Sequence, residues 1–322
     1  MRQYVGGPGH DPTTVKILVA IPHYFHPEPN LPRASSLEVN RAPRLTAFIA
    51  CITGLYRQFG AWQYVLDLLP RGIRAANDDQ RYDLSVRVCT TRGRHLLREA
   101  SIPGELFVHR ATSVEPVLLE FECHAVLREF LDHFDYYCFL EDDLVIEDPW
   151  FFAKLKWFSN RFGAHCLLQP HRYETTSFDR RKIYVDGNIP FSLTRPFQDI
   201  RRDPELRAEV FDREICFQRT RNPHASCFFL NAAQMRYWAD QPHFLDRDTS
   251  FVGPIESSAT LGIMKTFRVY KTAPSCANFF EIRHFNPDFT AKMADRLIRR
   301  REEARLSRFE RLVKALTRRR AG

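Results

Sequence analysis

The apolar run Lys16 to Ile21 (KILVAI), closed by Pro22, has no alternation. A strand with one wet face would alternate, so the run predicts a strand buried on both faces near the centre of a sheet. After a Pro-rich loop, apolar residues recur at helical spacing over Arg44 to Gly60 and again over Trp62 to Ala75, and Leu84 to Thr91 (LSVRVCTT) returns to a β-rich pattern. Leu106 to His109 reads as a short third strand and Pro116 to His133 as a helix. Tyr136 to Leu140 (YYCFL) reads as a strand that runs straight into acids. From His171 to His224 the pattern breaks: Arg, Asp, Pro and aromatics crowd together and only Lys182 to Val185 resembles a strand, as expected of a lid or substrate loop. Order resumes with Ser226 to Leu230 (SCFFL), a helix through Trp238, a helix from about Glu256 to Lys265 and a strand over Phe267 to Lys271. Pro287 to Arg320 reads as one long helix. Strands alternating with helices predict an α/β fold with a largely parallel sheet.

Composition adds scale. With 322 residues, 44% of them hydrophobic, the chain can bury a full core. The formal charge of +8 raises nucleic acid or an anionic membrane as partners, and its distribution separates them. Arg296 to Arg320 holds 11 basic and 3 acidic residues, which leaves 36 of each sign for everything else. A neutral body argues against a nucleic-acid grip. Among the arginines of the tail, Met293, Leu297, Ala304, Phe309, Leu312, Val313 and Leu316 recur at roughly helical spacing, the pattern of a basic amphipathic helix that lies on an anionic leaflet; a solvated or self-associating helix fits the same pattern. The eight cysteines are scattered without a C-x-x-C pair, which suits a reducing compartment. The start, MRQYVGGPGHDPTT, has no apolar core of a signal peptide, and residues 1–15 read as a flexible leader. The expectation is a cytoplasmic protein, peripheral at most to the inner face of a membrane.

The chemistry concentrates at Glu141, Asp142 and Asp143. Ligands of open α/β sheets bind at the carboxyl ends of strands, and hard oxygen donors there suit Mg²⁺ or Mn²⁺, which would neutralise a diphosphate. A solvated acidic turn is the plainer alternative. P-loop and G-x-G-x-x-G cradles are absent, as is a G-x-S-x-G elbow, and Cys123 and His124 are neighbours on a predicted helix, where they cannot face each other. His165, Cys166 and His171 lack zinc-ligand spacing.

At these residues the chain resembles the glycosyltransferases of the A-type, Rossmann-like fold, in particular their inverting group. KILVAIPHYF (Lys16 to Phe25) is similar to the opening strand and donor loop, and FLEDD (Phe139 to Asp143) to the D-x-D-type motif. FVGPIESSATLGIMK (Phe251 to Lys265) is similar to the segment whose helix-start carboxylate is the general base, and EIRHF (Glu281 to Phe285) to the late histidine of the metal site. The resemblance implies a catalytic domain over 16–286, followed by the basic helix 287–322. It implies a nucleotide-diphosphate sugar donor, a glycan or glycolipid acceptor, and a role in polysaccharide biosynthesis. Asp143 and His284 would hold Mn²⁺ or Mg²⁺. Ile21, Pro22, His23, Tyr24, Thr91, Glu141 and Asp142 would line the donor pocket, with Tyr24 or His23 free to stack on the base. Glu256 would be the base, stabilised as an anion at its helix N-terminus; ordinary capping chemistry is the competing reading. Thr90, Thr91 and Arg92 stand where many members have an Asp that contacts the nucleoside. Two rivals remain open: a sugar nucleotidyltransferase, against which the Pro-His-Tyr-Phe that replaces a glycine-rich loop argues, and a non-catalytic membrane-surface adaptor working through the basic tail.

Overall fold

The computed structural model describes residues 14–27, 41–69, 71–175, 181–285, 293–294, 296–301 and 304. Strand β1 (Thr14–Pro22) leads to helix α1 (Arg41–Phe59), a hairpin of β2 (Tyr64–Asp67) and β3 (Gly72–Ala75), and the long strand β4 (Arg81–Thr91). Then come β5 (Val108–Thr112), α2 (Leu119–Glu129), β6 (Tyr136–Leu140), the two-residue β7 (Leu144–Val145) and α3 (Phe151–Phe162). Five strands follow: β8 (Cys166–Leu168), β9 (His171–Thr175), β10 (Lys182–Tyr184), β11 (Glu205–Val210) and β12 (Arg213–Arg219). The chain closes with β13 (Cys227–Asn231), α4 (Ala232–Ala239), α5 (Pro254–Thr266), β14 (Arg268–Thr272) and β15 (Glu281–His284).

The main sheet runs β13-β6-β1-β4-β5, parallel throughout except for β13, which pairs antiparallel with β6. The lack of alternation in β1 has the expected cause. Ile17, Val19 and Ile21 enter one core with α1 and α3 residues such as Phe48, Ile52, Phe151 and Phe158. Leu18 and Ala20 enter a second core with Cys123 and Leu127 of α2, Trp238 of α4 and Ile263 of α5. Helices therefore cover both faces, and every position from Ile17 to Ile21 lies in one core or the other. The caps are local: Asn231 and Gln234 form a reciprocal capping box at the start of α4, and Pro254 sits in the first turn of α5, where a missing N–H costs nothing. Two smaller sheets, β10-β9-β15-β7 and β11-β12-β14-β8, extend the body.

Several expectations need correction. Trp62 to Ala75 is not a helix: its apolar residues belong to the β2–β3 hairpin. The segment His171 to His224 is richer in strands than expected, with β9, β10, β11 and β12 inside it. Thr14 and Val15, assigned to the leader, are already in β1. Residues 1–13 lie outside the described residues. So does most of the basic tail, Phe309, Leu312, Val313 and Leu316 included; residues 293–294, 296–301 and 304 are helical, with Met293 and Leu297 exposed. Among the described residues no helix is long and apolar enough to cross a membrane. All eight cysteines are buried free thiols.

Candidate active site

The parallel strands β1, β4 and β6 end on one edge of the sheet, and the acids gather there. Immediately after β1 the His23 N–H donates to Cys89 O at 2.8 Å, holding the residue against β4. Its ring is fully buried and packs on Phe48 with centroids 4.5 Å apart. The Leu96 backbone N–H donates to His23 Nε2 at 3.1 Å. Because that nitrogen accepts, the neutral ring carries its proton on Nδ1, which donates to Asp142 Oδ2 at 2.5 Å. The other Asp142 oxygen takes a charged hydrogen bond from Arg44, which also reaches Asp143 Oδ2 at 3.4 Å. Asp142 is therefore a closed clasp joining β1, α1 and β6.

Asp143 faces His284. His284 Nε2 lies 3.3 Å from Asp143 Oδ2, and Nδ1 lies 2.9 Å from Glu174 Oε1. Burial alone would disfavour the imidazolium, but Asp143 and Glu174 outweigh it and raise the His284 pKa to about 10. Burial likewise opposes ionisation of Asp143, yet His284, Arg44 and Arg172 hold its carboxyl well below the usual range. Glu141, half-buried, moves the other way: burial and then the neighbouring Asp143 push it up to about 8. The turn is pinned from outside, by the Phe285 N–H on Asp143 O at 2.8 Å. Gly54 of α1 lets that helix approach, since a Cβ there would stand 2.9 Å from Val145 Cγ1.

Asp143 Oδ1 and Glu141 Oε1 are buried oxygens without a hydrogen-bond partner. Left dry, each such atom costs free energy comparable to a lost hydrogen bond. Glu174 orients His284 through its far nitrogen, the arrangement that metal-ligating histidines usually have, and Asp143 and His284 could hold a divalent cation that displaces the imidazolium proton from Nε2. Among the described residues no group of three His, Cys, Asp or Glu side chains stands at metal-holding geometry. A cation held here would need donor phosphate or water to complete its shell.

On the opposite side α5 presents Glu256 in its first turn. A Cβ on the capping Gly253 would lie 2.8 Å from Glu256 Oε2, so the carboxylate folds back over the glycine. Glu120 of α2 lies against α5, its Oε2 accepting from the Ser258 hydroxyl. Burial first, then the charge of Glu141, with smaller effects from Glu256 and Asp142, raise the Glu120 pKa far above the carboxylate range.

Behind the acids lies a buried cationic wall. Asp186 pairs with Arg172 at 2.8 Å and with Lys271 at 2.9 Å, and Lys271 also donates to His224 O at 2.5 Å. Arg172 donates to the Ser226 hydroxyl at 2.5 Å, and His224 joins it through Nε2 at 3.1 Å. Two cations against one anion leave a net positive charge beside Glu141 and Asp143.

The residues expected at the site are not all equally open. Glu141, Asp142, Asp143 and His284 come together, whereas Glu256 is linked to them only by the charge that it and they exert on Glu120. Ile21, Pro22 and His23 are buried, and His23, with both ring nitrogens engaged, is not free to stack on a base. Tyr24 is half-buried, its hydroxyl accepting from Arg94 at 3.2 Å. Thr91 is buried and donates to Val114 O at 2.5 Å. Arg44 and Glu120 were missed, although each carries a signal: Arg44, Ala47, Phe48 and Cys51 share the buried stripe of α1, and the half-buried Glu120 stands at helical spacing from the buried Cys123, His124 and Leu127 of α2. A charge on an apolar stripe needs a partner inside.

Fold and site together define a mixed α/β protein with a cluster of carboxylates at the ends of a mostly parallel sheet. No protein-family model matches the chain, and no curated protein matches it in sequence.

Proposed function

We propose that this chain is an inverting glycosyltransferase with the Rossmann-like architecture of the A-type enzymes, moving a sugar from a nucleotide-diphosphate donor to a hydroxyl of a glycan or glycolipid. The observation that carries the reading is the convergence at the strand ends of residues distant in sequence: His23 on Asp142 across 119 positions and His284 on Asp143 across 141. Such convergence is what a diphosphate leaving group and an incoming hydroxyl require.

Asp143 and His284 would hold Mn²⁺ or Mg²⁺, which when bound stabilises negative charge on the departing diphosphate. The rest falls to the chain itself. Glu141 and Tyr24 bound the donor side, while Asp142, locked by His23 and Arg44, fixes the position of Asp143. Glu256 takes the proton of the acceptor hydroxyl, whose oxygen attacks the anomeric carbon. The bond from that carbon to the diphosphate oxygen breaks, the oxygen leaves with the electron pair, and the configuration inverts. Glu120, kept protonated by burial and then by the charge of Glu141, braces Ser258 of α5 without adding charge. The basic segment 296–320 would keep the enzyme at the anionic inner leaflet of a membrane.

Hydrolysis of a panel of nucleotide sugars, with Mn²⁺ and with chelator, tests the proposal. Turnover of one donor that chelation abolishes is the expected result. No turnover of any donor, together with no thermal shift from any nucleoside diphosphate and Mn²⁺, would overturn it.

A further inference from the structure

The β2–β3 hairpin forms a sheet of its own. Its register pairs Tyr64 with Ala75 and Leu66 with Ile73 on one face, and Val65 with Arg74 and Asp67 with Gly72 on the other. The first face is apolar and exposed throughout. The second is closed electrically by the Arg74–Asp67 pair at 3.2 Å. Beyond the strands the exposure grows: Leu68 is 73% and Leu69 93% accessible, and Trp62 stands exposed at the base. Six large apolar side chains (Trp62, Tyr64, Leu66, Leu68, Leu69, Ile73) thus face water on one projecting element, which is far from the scatter of single apolar residues normal on a surface.

We propose that this hairpin is a wedge that inserts into the interfacial layer of an anionic lipid leaflet. The dimensions agree: four residues per strand rise about 13 Å, and amphipathic elements sink roughly 5–10 Å below the headgroups. Leu68 and Leu69 then lie among the acyl chains, while Trp62 and Tyr64 sit at headgroup level, where amphipathic rings are favoured. The turn also carries exposed Arg71, a cation placed for a lipid phosphate beside the inserting leucines. A second copy of the chain is a poorer occupant, because six side chains fall well short of the roughly 20–30 residues a side of a stable interface.

The test uses the full chain with vesicles of phosphatidylglycerol and phosphatidylcholine. In about 1 M salt, where the Debye length shrinks to about 3 Å, attachment through the basic tail is screened and insertion of the hairpin persists. Leu68→Ser/Leu69→Ser lowers the vesicle partition coefficient about tenfold for each leucine, with the thermal midpoint unchanged because both side chains are solvent-exposed. Lipids brominated on the acyl chain quench tryptophan fluorescence of the wild type, and Trp62→Phe removes most of that quenching while keeping an apolar side chain. Equal partition of wild type and leucine variant at high salt, or quenching that survives Trp62→Phe, would overturn the proposal. So would a leucine variant whose only change is loss of a dimer in sedimentation, which would assign the face to a second copy.

Discussion

His124 should make the protein acid-sensitive by an amount that can be worked out. Its ring is buried on α2 among Phe121, Phe139, Phe228 and Trp238, with centroids 5.5, 5.8, 5.5 and 5.0 Å away, and its Nε2 has no hydrogen-bond partner. Burial lowers the pKa to about 3, an effect the Ser258 backbone only partly offsets. An unfolded histidine titrates near 6.5. The folded value is the lower one, so the stabilising contribution is complete above the unfolded pKa and drains away as pH falls toward the folded one. Between about pH 7.5 and about pH 5 the unfolded chain gains this proton and the folded chain does not, which removes about 2 kcal/mol. Urea unfolding of wild type and His124→Leu at both pH values gives a double difference in which packing and every other titrating group cancel. The wild type should lose about 2 kcal/mol more than the variant over that interval. Stability curves that stay parallel across pH would refute the argument. The effect also reaches the site, because Ser258, beside this cage, holds Glu120 against α5.

Glu256→Gln should lower transfer by about 10² to 10⁴, whereas Glu120→Gln, whose amide mimics a protonated carboxyl, should keep near-normal transfer; the reverse outcome in steady-state kinetics would make Glu120 the base. Asp143→Ala and His284→Ala should each weaken metal-dependent nucleotide binding in a thermal-shift assay, Asp143 more because it supplies charge as well as a ligand; equal shifts in wild type and both variants would remove them from the metal site. Asp186→Asn leaves Arg172 and Lys271 buried against each other and should cost about 3–5 kcal/mol in chemical unfolding; an unmoved midpoint would show that water reaches the pair. In the wild type the depressed pKa of Asp186, set by Arg172 and Lys271 against its burial, contributes stability present above the unfolded carboxyl value, about 3.9, and lost as pH falls below it.

Strands that are buried on both faces were the most legible parts of the chain. KILVAI and YYCFL have no reason to be apolar throughout unless covered on both sides, and β6 coincides with its expected span. Glu256 was placed in the first turn of a helix because Gly253-Pro254 is a start signal, and α5 begins at Pro254. The hairpin misled because Trp62, Leu66, Leu69 and Ile73 fall at helical spacing, whereas Trp62, Tyr64 and Leu66 alternate; Gly72 and Pro70 were the arbiters, as breakers inside the span. The strands of the middle segment were hidden for a different reason. In β11, Glu205 to Val210, alternate residues are exposed, so charged side chains interrupt any apolar run. The cationic wall was invisible, since nothing local in Asp186 or Lys271 tells that they meet inside the protein across 85 positions.

The position of β15 in its sheet has a consequence for how the site comes into being. In the order β10-β9-β15-β7, this late segment is the piece that joins β9, which carries Arg172 and Glu174, to β7 beside the acids. A chain emerging from the ribosome can pair β1, β4 and β6, and β9 with β10, long before residues 281–284 are made, yet until then Asp143 lacks His284 and the β9–β10 pair is not joined to β7. Closing loops of such length is slow. The pocket is therefore assembled last, as a late and cooperative event in folding, and a nascent chain stopped short of β15 would carry a finished central sheet with a cluster of uncompensated carboxylates at its rim.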